Sequence, residues 1–223
     1  MAHVNTEKIA DRERWLSVEP LTKEEVDRGL ACCLAQIDAN MEAFGTRFPW
    51  SATKGLEYPV IDCIEWTDGF WTGLLWLAYE VTGDEKYRDR ALENVQSFKH
   101  RVENRIELDH HDLGFLYVPS CVAAYRLTGS EDARTAALLA ADKLMERWQP
   151  KGKFLQAWGP MDSPEHYRFI IDCMLNLPIL YFASEETGDT HYRDVSRMHF
   201  DTTVNNIIRE DGSAFHTFYM NPE

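Results

Sequence analysis

The sequence lacks any apolar run long enough to cross a bilayer, and residues 1–19 mix charges with few apolar side chains. Neither a membrane span nor a secretory leader is expected. Basic charge is scarce: 23 Lys and Arg stand against 37 Asp and Glu, a formal charge of −14. That removes nucleic acid from the candidate partners, because binding phosphate needs a basic surface. Cysteine is sparse and unpatterned. Cys32, Cys33, Cys63, Cys121 and Cys173 form no CxxC pair, which excludes a zinc cluster or a disulfide framework and predicts reduced, structural thiols. Low-complexity segments are missing too, and with 44% hydrophobic residues disorder is excluded. What remains is an acidic, soluble protein, expected in the cytoplasm and read as a single domain over residues 1–223.

Thr22 opens the first clear helix, with Glu25 placed to complete a capping box. Val26, Leu30, Cys33, Leu34, Ile37, Met41 and Phe44 then follow helical spacing on one face, so this helix lies on the outside of the fold. Residues 45–66 carry Pro49, Gly55 and Pro59 and read as loop.

From Trp66 onward the sequence repeats. Asp68, Asp112 and Asp172 each stand about fifteen residues before a Thr-Gly pair, at Thr82-Gly83, Thr128-Gly129 and Thr187-Gly188. The first half of each unit is apolar nearly all round, as for a helix buried on every side. Gly then suits a left-handed helix end, and Asp84, Ser130 or Asp189 caps a second, one-faced helix. Inner helix, tight turn, outer helix, repeated, predicts an all-α fold: an α/α-hairpin toroid holding about three hairpins plus an extra N-terminal helix. The aspartates gather at one mouth of such a ring. Pro119 and Pro178 mark places where an inner helix either kinks or begins.

Asp112 and Asp172 head apolar segments, an expensive place for a carboxylate that is not paired, hydrogen-bonded or catalytic. Helix capping is the structural alternative for both, and for Asp68 it is the preferred one. Trp71 and Trp76 read as core, whereas Trp66 stands at the mouth, where an indole can stack on a sugar ring. His110-His111-Asp112 contains metal-ligating residue types, but adjacent histidines rarely face one ion and no HxxxH partner is present, so neither metal nor cofactor is expected. Two carboxylates converging with histidine and aromatic company are the equipment of acid-base chemistry on a carbohydrate.

The strings around Trp66-Thr67-Asp68-Gly69-Phe70-Trp71, Leu108-Asp109-His110-His111-Asp112-Leu113-Gly114-Phe115, Gln156-Ala157-Trp158-Gly159-Pro160, Ile170-Ile171-Asp172-Cys173 with Asn176-Leu177-Pro178, and Phe215-His216-Thr217-Phe218-Tyr219 occur in that order. In them the chain resembles the unsaturated glucuronyl hydrolases, a glycoside hydrolase family with an α/α six-hairpin barrel. The resemblance implies that Asp172 is the general acid and base and Asp112 its supporting carboxylate. Trp66, His216 and His111 become substrate-binding residues. It implies hydration of the C4=C5 double bond of a Δ4,5-unsaturated glucuronic acid at the non-reducing end of lyase-derived glycosaminoglycan oligosaccharides. Burial and a neighbouring carboxylate are expected to raise the pKa of Asp172. An unsaturated rhamnogalacturonyl hydrolase or a non-catalytic sugar-binding scaffold on the same fold are the alternatives. Compared with the family, the chain reads as an N-terminal half whose open edge the C-terminal half or another chain would cover.

Overall fold

Thr22 and Glu25 form the expected capping box at the head of α2 (Lys23–Phe44): the Thr22 side chain accepts the Glu25 N–H, and the Glu25 carboxylate accepts the Thr22 N–H. In the computed structural model, which describes residue 8 and residues 10–222, α2 is preceded by a short α1 (Arg12–Leu16) and followed by three helical hairpins. α3 (Asp68–Thr82) returns as α4 (Glu85–Glu103). The second inner helix is composite, with α5 (Leu113–Tyr117), a π turn over Val118–Val122 and α6 (Ala123–Thr128), and it returns as α7 (Glu131–Met145). α8 (Pro178–Thr187) returns as α9 (Thr190–Ile207).

All three hairpins turn in the way the repeat predicts. Gly83, Gly129 and Gly188 adopt φ of 70°, 71° and 76°, a region that costs a residue with a Cβ roughly 1–2 kcal/mol. The next side chain then accepts a first-turn N–H of the outer helix: Asp84 from Lys86, Ser130 from Ala133, Asp189 from His191. The prolines take one role each. Pro119 sits in the π turn, where the widened backbone accommodates its ring, and Pro178 begins α8.

The core lies between inner and outer helices. α7 presents Ala133, Ala136, Ala137, Ala140 and Ala141, all fully buried, a small-residue face that lets its neighbours approach closely. Three buried polar groups tie the helices together. Trp76 donates to the Ser120 carbonyl, Tyr117 to the Phe98 carbonyl and Asn94 to Thr72, each at 3.1 Å.

Three expectations change. Asp68 is not a cap: it is the first residue of α3, fully buried, accepts the Glu65 N–H at 2.9 Å and pairs with the equally buried Arg101 at 3.3 Å. Arg101 also donates to the carbonyls of Ile64, Glu65, Ile106 and Glu107, so the pair ties the loop before α3 to the end of α4. Second, α3 is not buried all round. Phe70, Leu74, Leu77 and Val81 form a stripe 42–58% exposed, because the described residues flank this helix on only some of its sides. Val26 and Leu30 of α2 are exposed as well. Third, short strands accompany the helices in antiparallel pairs: β1 (Phe48–Pro49) with β2 (Val60–Ile61), β3 (Trp148–Gln149) with β4 (Phe154–Leu155), and β5 (Arg168–Ile170) with β6 (Thr217–Tyr219). The last pair carries Asp172 into place.

Candidate active site

The heads of the inner segments converge because glycine stands where a neighbouring backbone passes. A Cβ on Gly69 of α3 would lie 2.1 Å from the Phe115 carbonyl oxygen, and one on Gly114 of α5 would lie 2.3 Å from the Cα of Asn176. Any side chain at either position would force the segments apart. Asp112 precedes α5 and uses no side-chain oxygen to cap it. Asp172 lies in a 3-10 turn over Ile171–Asn176, ahead of α8 and not at its head. Neither aspartate is spent on helix capping.

His111 stands between them. Its Nε2 is 3.3 Å from Oδ1 of Asp112 and 3.6 Å from Oδ1 of Asp172, and its ring is 1% exposed. The His111 N–H donates to the Ala157 carbonyl at 2.8 Å, fixing the segment against residues 154–158. His110 places Nδ1 3.2 Å from Oδ2 of Asp112 and accepts the Asp112 N–H on that nitrogen at 3.1 Å. Burial pushes the His111 pKa down to about 4 against the pull of Asp112, so this imidazole is neutral near pH 7.

The same surroundings drive the two carboxyls in opposite directions. For Asp112 burial acts upward, but the surrounding side chains of His110, His111 and Asn176 together outweigh it, and its pKa falls below the ordinary 3.8. For Asp172 burial and then the Asp112 charge raise the pKa to about 6, with its own backbone N–H and His216 opposing weakly. Oδ1 of Asp172 is buried without a hydrogen-bond partner. An ionised carboxylate therefore sits beside a carboxyl poised near neutrality, the division of states that acid-base catalysis requires.

The other expected residues join this cluster from different directions. The His216 carbonyl accepts the Ile171 N–H at 3.0 Å at the end of the β5–β6 ladder, placing its ring, which contacts Thr217, near Asp172. Trp66, 43% exposed, packs against Phe115, three residues after Asp112, and against Phe70, with ring centroids 5.8 and 6.3 Å apart. Single ligand atoms of His111, Asp112 and Asp172 lie within 4.8 Å of one another, a spacing that would admit a cation. A carboxyl held near neutrality is the weaker half of such a ligand set.

Sequence reasoning attached no role to Trp158, Arg168 or Asn176. Trp158 meets the His111 ring edge-on at 6.4 Å, and the Arg168 guanidinium lies over its indole at 4.4 Å and over Tyr219 at 5.3 Å. The usable signal was a tryptophan followed by Gly159-Pro160, in a stretch with no helical period to bury it.

Residues 40–222 match the model of Glycosyl Hydrolase Family 88. The chain is 53% identical over 220 residues to the unsaturated chondroitin disaccharide hydrolase of Streptococcus pneumoniae, covering 99% of this chain and 56% of that protein. It is 48% identical over 185 residues to the unsaturated glucuronyl hydrolase of a Bacillus species, covering 82% and 49%. The crystal structure of unsaturated glucuronyl hydrolase from Streptococcus agalactiae superposes with a TM-score of 0.96 at 52% identity, over 99% of this chain and 55% of that one. An aspartate-to-asparagine variant of that enzyme, complexed with dGlcA-GalNAc6S, superposes with a TM-score of 0.86 at 46% identity, over 99% and 53%. The chain spans about half the length of the curated relatives it matches, and its hairpins are part of the α/α toroid those relatives share. On this evidence the chain belongs to Glycosyl Hydrolase Family 88.

Proposed function

We propose that the enzyme built on these residues releases Δ4,5-unsaturated glucuronic acid from lyase-derived glycosaminoglycan oligosaccharides by hydrating the C4=C5 double bond. The observation that carries this reading is the pair of carboxyls driven apart in protonation, Asp112 downward and Asp172 up to about 6, on either side of a neutral His111. The double bond is conjugated with the ring oxygen as a vinyl ether. Protonated Asp172 gives its proton to C4, and the positive charge that develops at C5 is stabilised by the Asp112 carboxylate. Asp172, now ionised, takes a proton from water as that water bonds to C5, which returns the carboxyl to its starting state. The resulting hemiketal opens and frees the neighbouring sugar. Trp66 offers a stacking face for a sugar ring, and His111 and His216 donate or accept hydrogen bonds at the substrate.

The relatives named for chondroitin disaccharides and for dGlcA-GalNAc6S support a glycosaminoglycan substrate. The five cysteines are all free, which fits a reducing compartment and a cytoplasmic site of action. Among the described residues no helix is long and apolar enough to cross a membrane. The exposed stripe of α3 is where the rest of a closed ring, or another chain, would pack.

The test is loss of the ultraviolet absorbance of the conjugated uronate with an unsaturated chondroitin disaccharide. Asp172→Asn should lower the rate by about 10²–10⁴-fold, the usual worth of a general acid-base group. Retention of near-full activity by Asp172→Asn refutes the assignment. No metal takes part in this scheme, so dialysis against EDTA should leave the rate unchanged; loss that an added divalent cation restores would contradict it.

A further inference from the structure

Asn176 is 1% exposed and closes the 3-10 turn that carries Asp172, four residues after it. Its Oδ1 accepts the Phe115 N–H at 3.0 Å. Its Nδ2 is buried without a completed hydrogen bond, yet it faces Asp112 closely enough to favour the charged carboxylate. Its backbone passes Gly114 in van der Waals contact so tight that a Cβ there would lie 2.3 Å from the Asn176 Cα and 2.7 Å from its carbonyl oxygen. One residue thus touches the Asp112 segment three times while belonging to the Asp172 turn.

We propose that Asn176 is the positioning residue of the carboxyl pair: its amide orients Asp112, and its backbone, seated on Gly114, sets the separation of Asp112 from Asp172. A side-chain amide suits this place because it accepts from a backbone N–H at one end and turns N–H groups, not a second oxygen, towards a carboxylate at the other. Aspartate would keep the first contact and reverse the second. The inference rests on reading the pair as the acid-base centre, but the juxtaposition can be measured without turnover.

The groups facing Asp112 are His110, His111, Asp172 and Asn176, and those facing Asp172 are Asp112, His111 and His216; all are followed in one NMR titration. In the unmodified chain, the Asn176 side-chain amide resonances should move with the same apparent pKa as the Asp112 carboxyl carbon. In Asn176→Asp, the Asp112 titration should rise by on the order of one pH unit or more, and the acid limb of kcat should follow it with KM little changed. An Asn176 amide that stays flat through the Asp112 titration overturns the proposal, and this measurement needs no variant to fold. A uniform loss of kcat at every pH with Asp112 unmoved overturns it too. Absent turnover with the NMR shifts intact would instead sink the hydration reading and leave the positioning role standing.

Discussion

In the proposed reaction one carboxyl gives a proton and then takes one, which needs it near neutrality when the substrate arrives, and Asp172 reaches about 6 through burial and the Asp112 charge. The same upward shift makes Asp172 a liability for stability. Its folded pKa lies above the ordinary 3.8, so the folded state binds more protons between those values and loses stability as pH rises through that window. Asp172→Asn should therefore raise the melting temperature at pH 7, with the gain vanishing below about pH 4; calorimetry at both pH values checks this, and equal stability at pH 7 would contradict it. Activity has the complementary profile, falling as pH rises above about 6 because the proton donor ionises. Asp112 and Asp172 were legible in the sequence because a charged residue heading an apolar segment violates the local rule. Asn176 violated nothing: a buried Asn looks ordinary until the partner that needs it is in place, whereas Trp158 left only the signal of a tryptophan outside any helical period.

At the scale of the element, a short pattern made the hairpins legible. Thr-Gly followed by Asp or Ser encodes a left-handed helix end and the next N-cap, and all three copies fold that way. The β5–β6 ladder and the π turn were not legible, because strands of two or three residues carry no period and Pro119 alone does not distinguish a kink from a start. An open edge follows from the resemblance to the family, whereas apolar residues all round α3 do not by themselves reveal which of its faces lies on that edge. Gly69 and Gly114 hold the convergence of the inner segments. Gly69→Ala should destabilise by roughly 1–3 kcal/mol through overpacking and also reduce kcat, since the Phe115 backbone must retreat together with the Asp112 segment. Urea unfolding paired with the absorbance assay checks this; a fully active Gly69→Ala protein would contradict the role given to the contact.

At the scale of the whole molecule, a second buried neutral histidine joins the outer helix α9 to the β3–β4 hairpin. His199 on α9 accepts the Leu155 N–H at 3.1 Å on Nδ1, and burial lowers its pKa to about 3 from 6.5. A depressed folded pKa means that its stabilising contribution is full above about 6.5 and is lost as pH falls towards 3. Relative to wild type, His199→Gln should therefore gain in melting temperature as pH drops from 7 to 4, whatever its cost at neutrality; a pH-independent difference would contradict this. The proposed reaction adds water across a double bond and does not cleave a glycosidic bond directly. The most direct test is turnover of an unsaturated chondroitin disaccharide in deuterated, ¹⁸O-enriched water, read by NMR and mass spectrometry. Hydration predicts one deuterium at C4 and the label oxygen at C5 of the released uronate, both dependent on Asp172; label oxygen at the anomeric carbon with the double bond retained would contradict it.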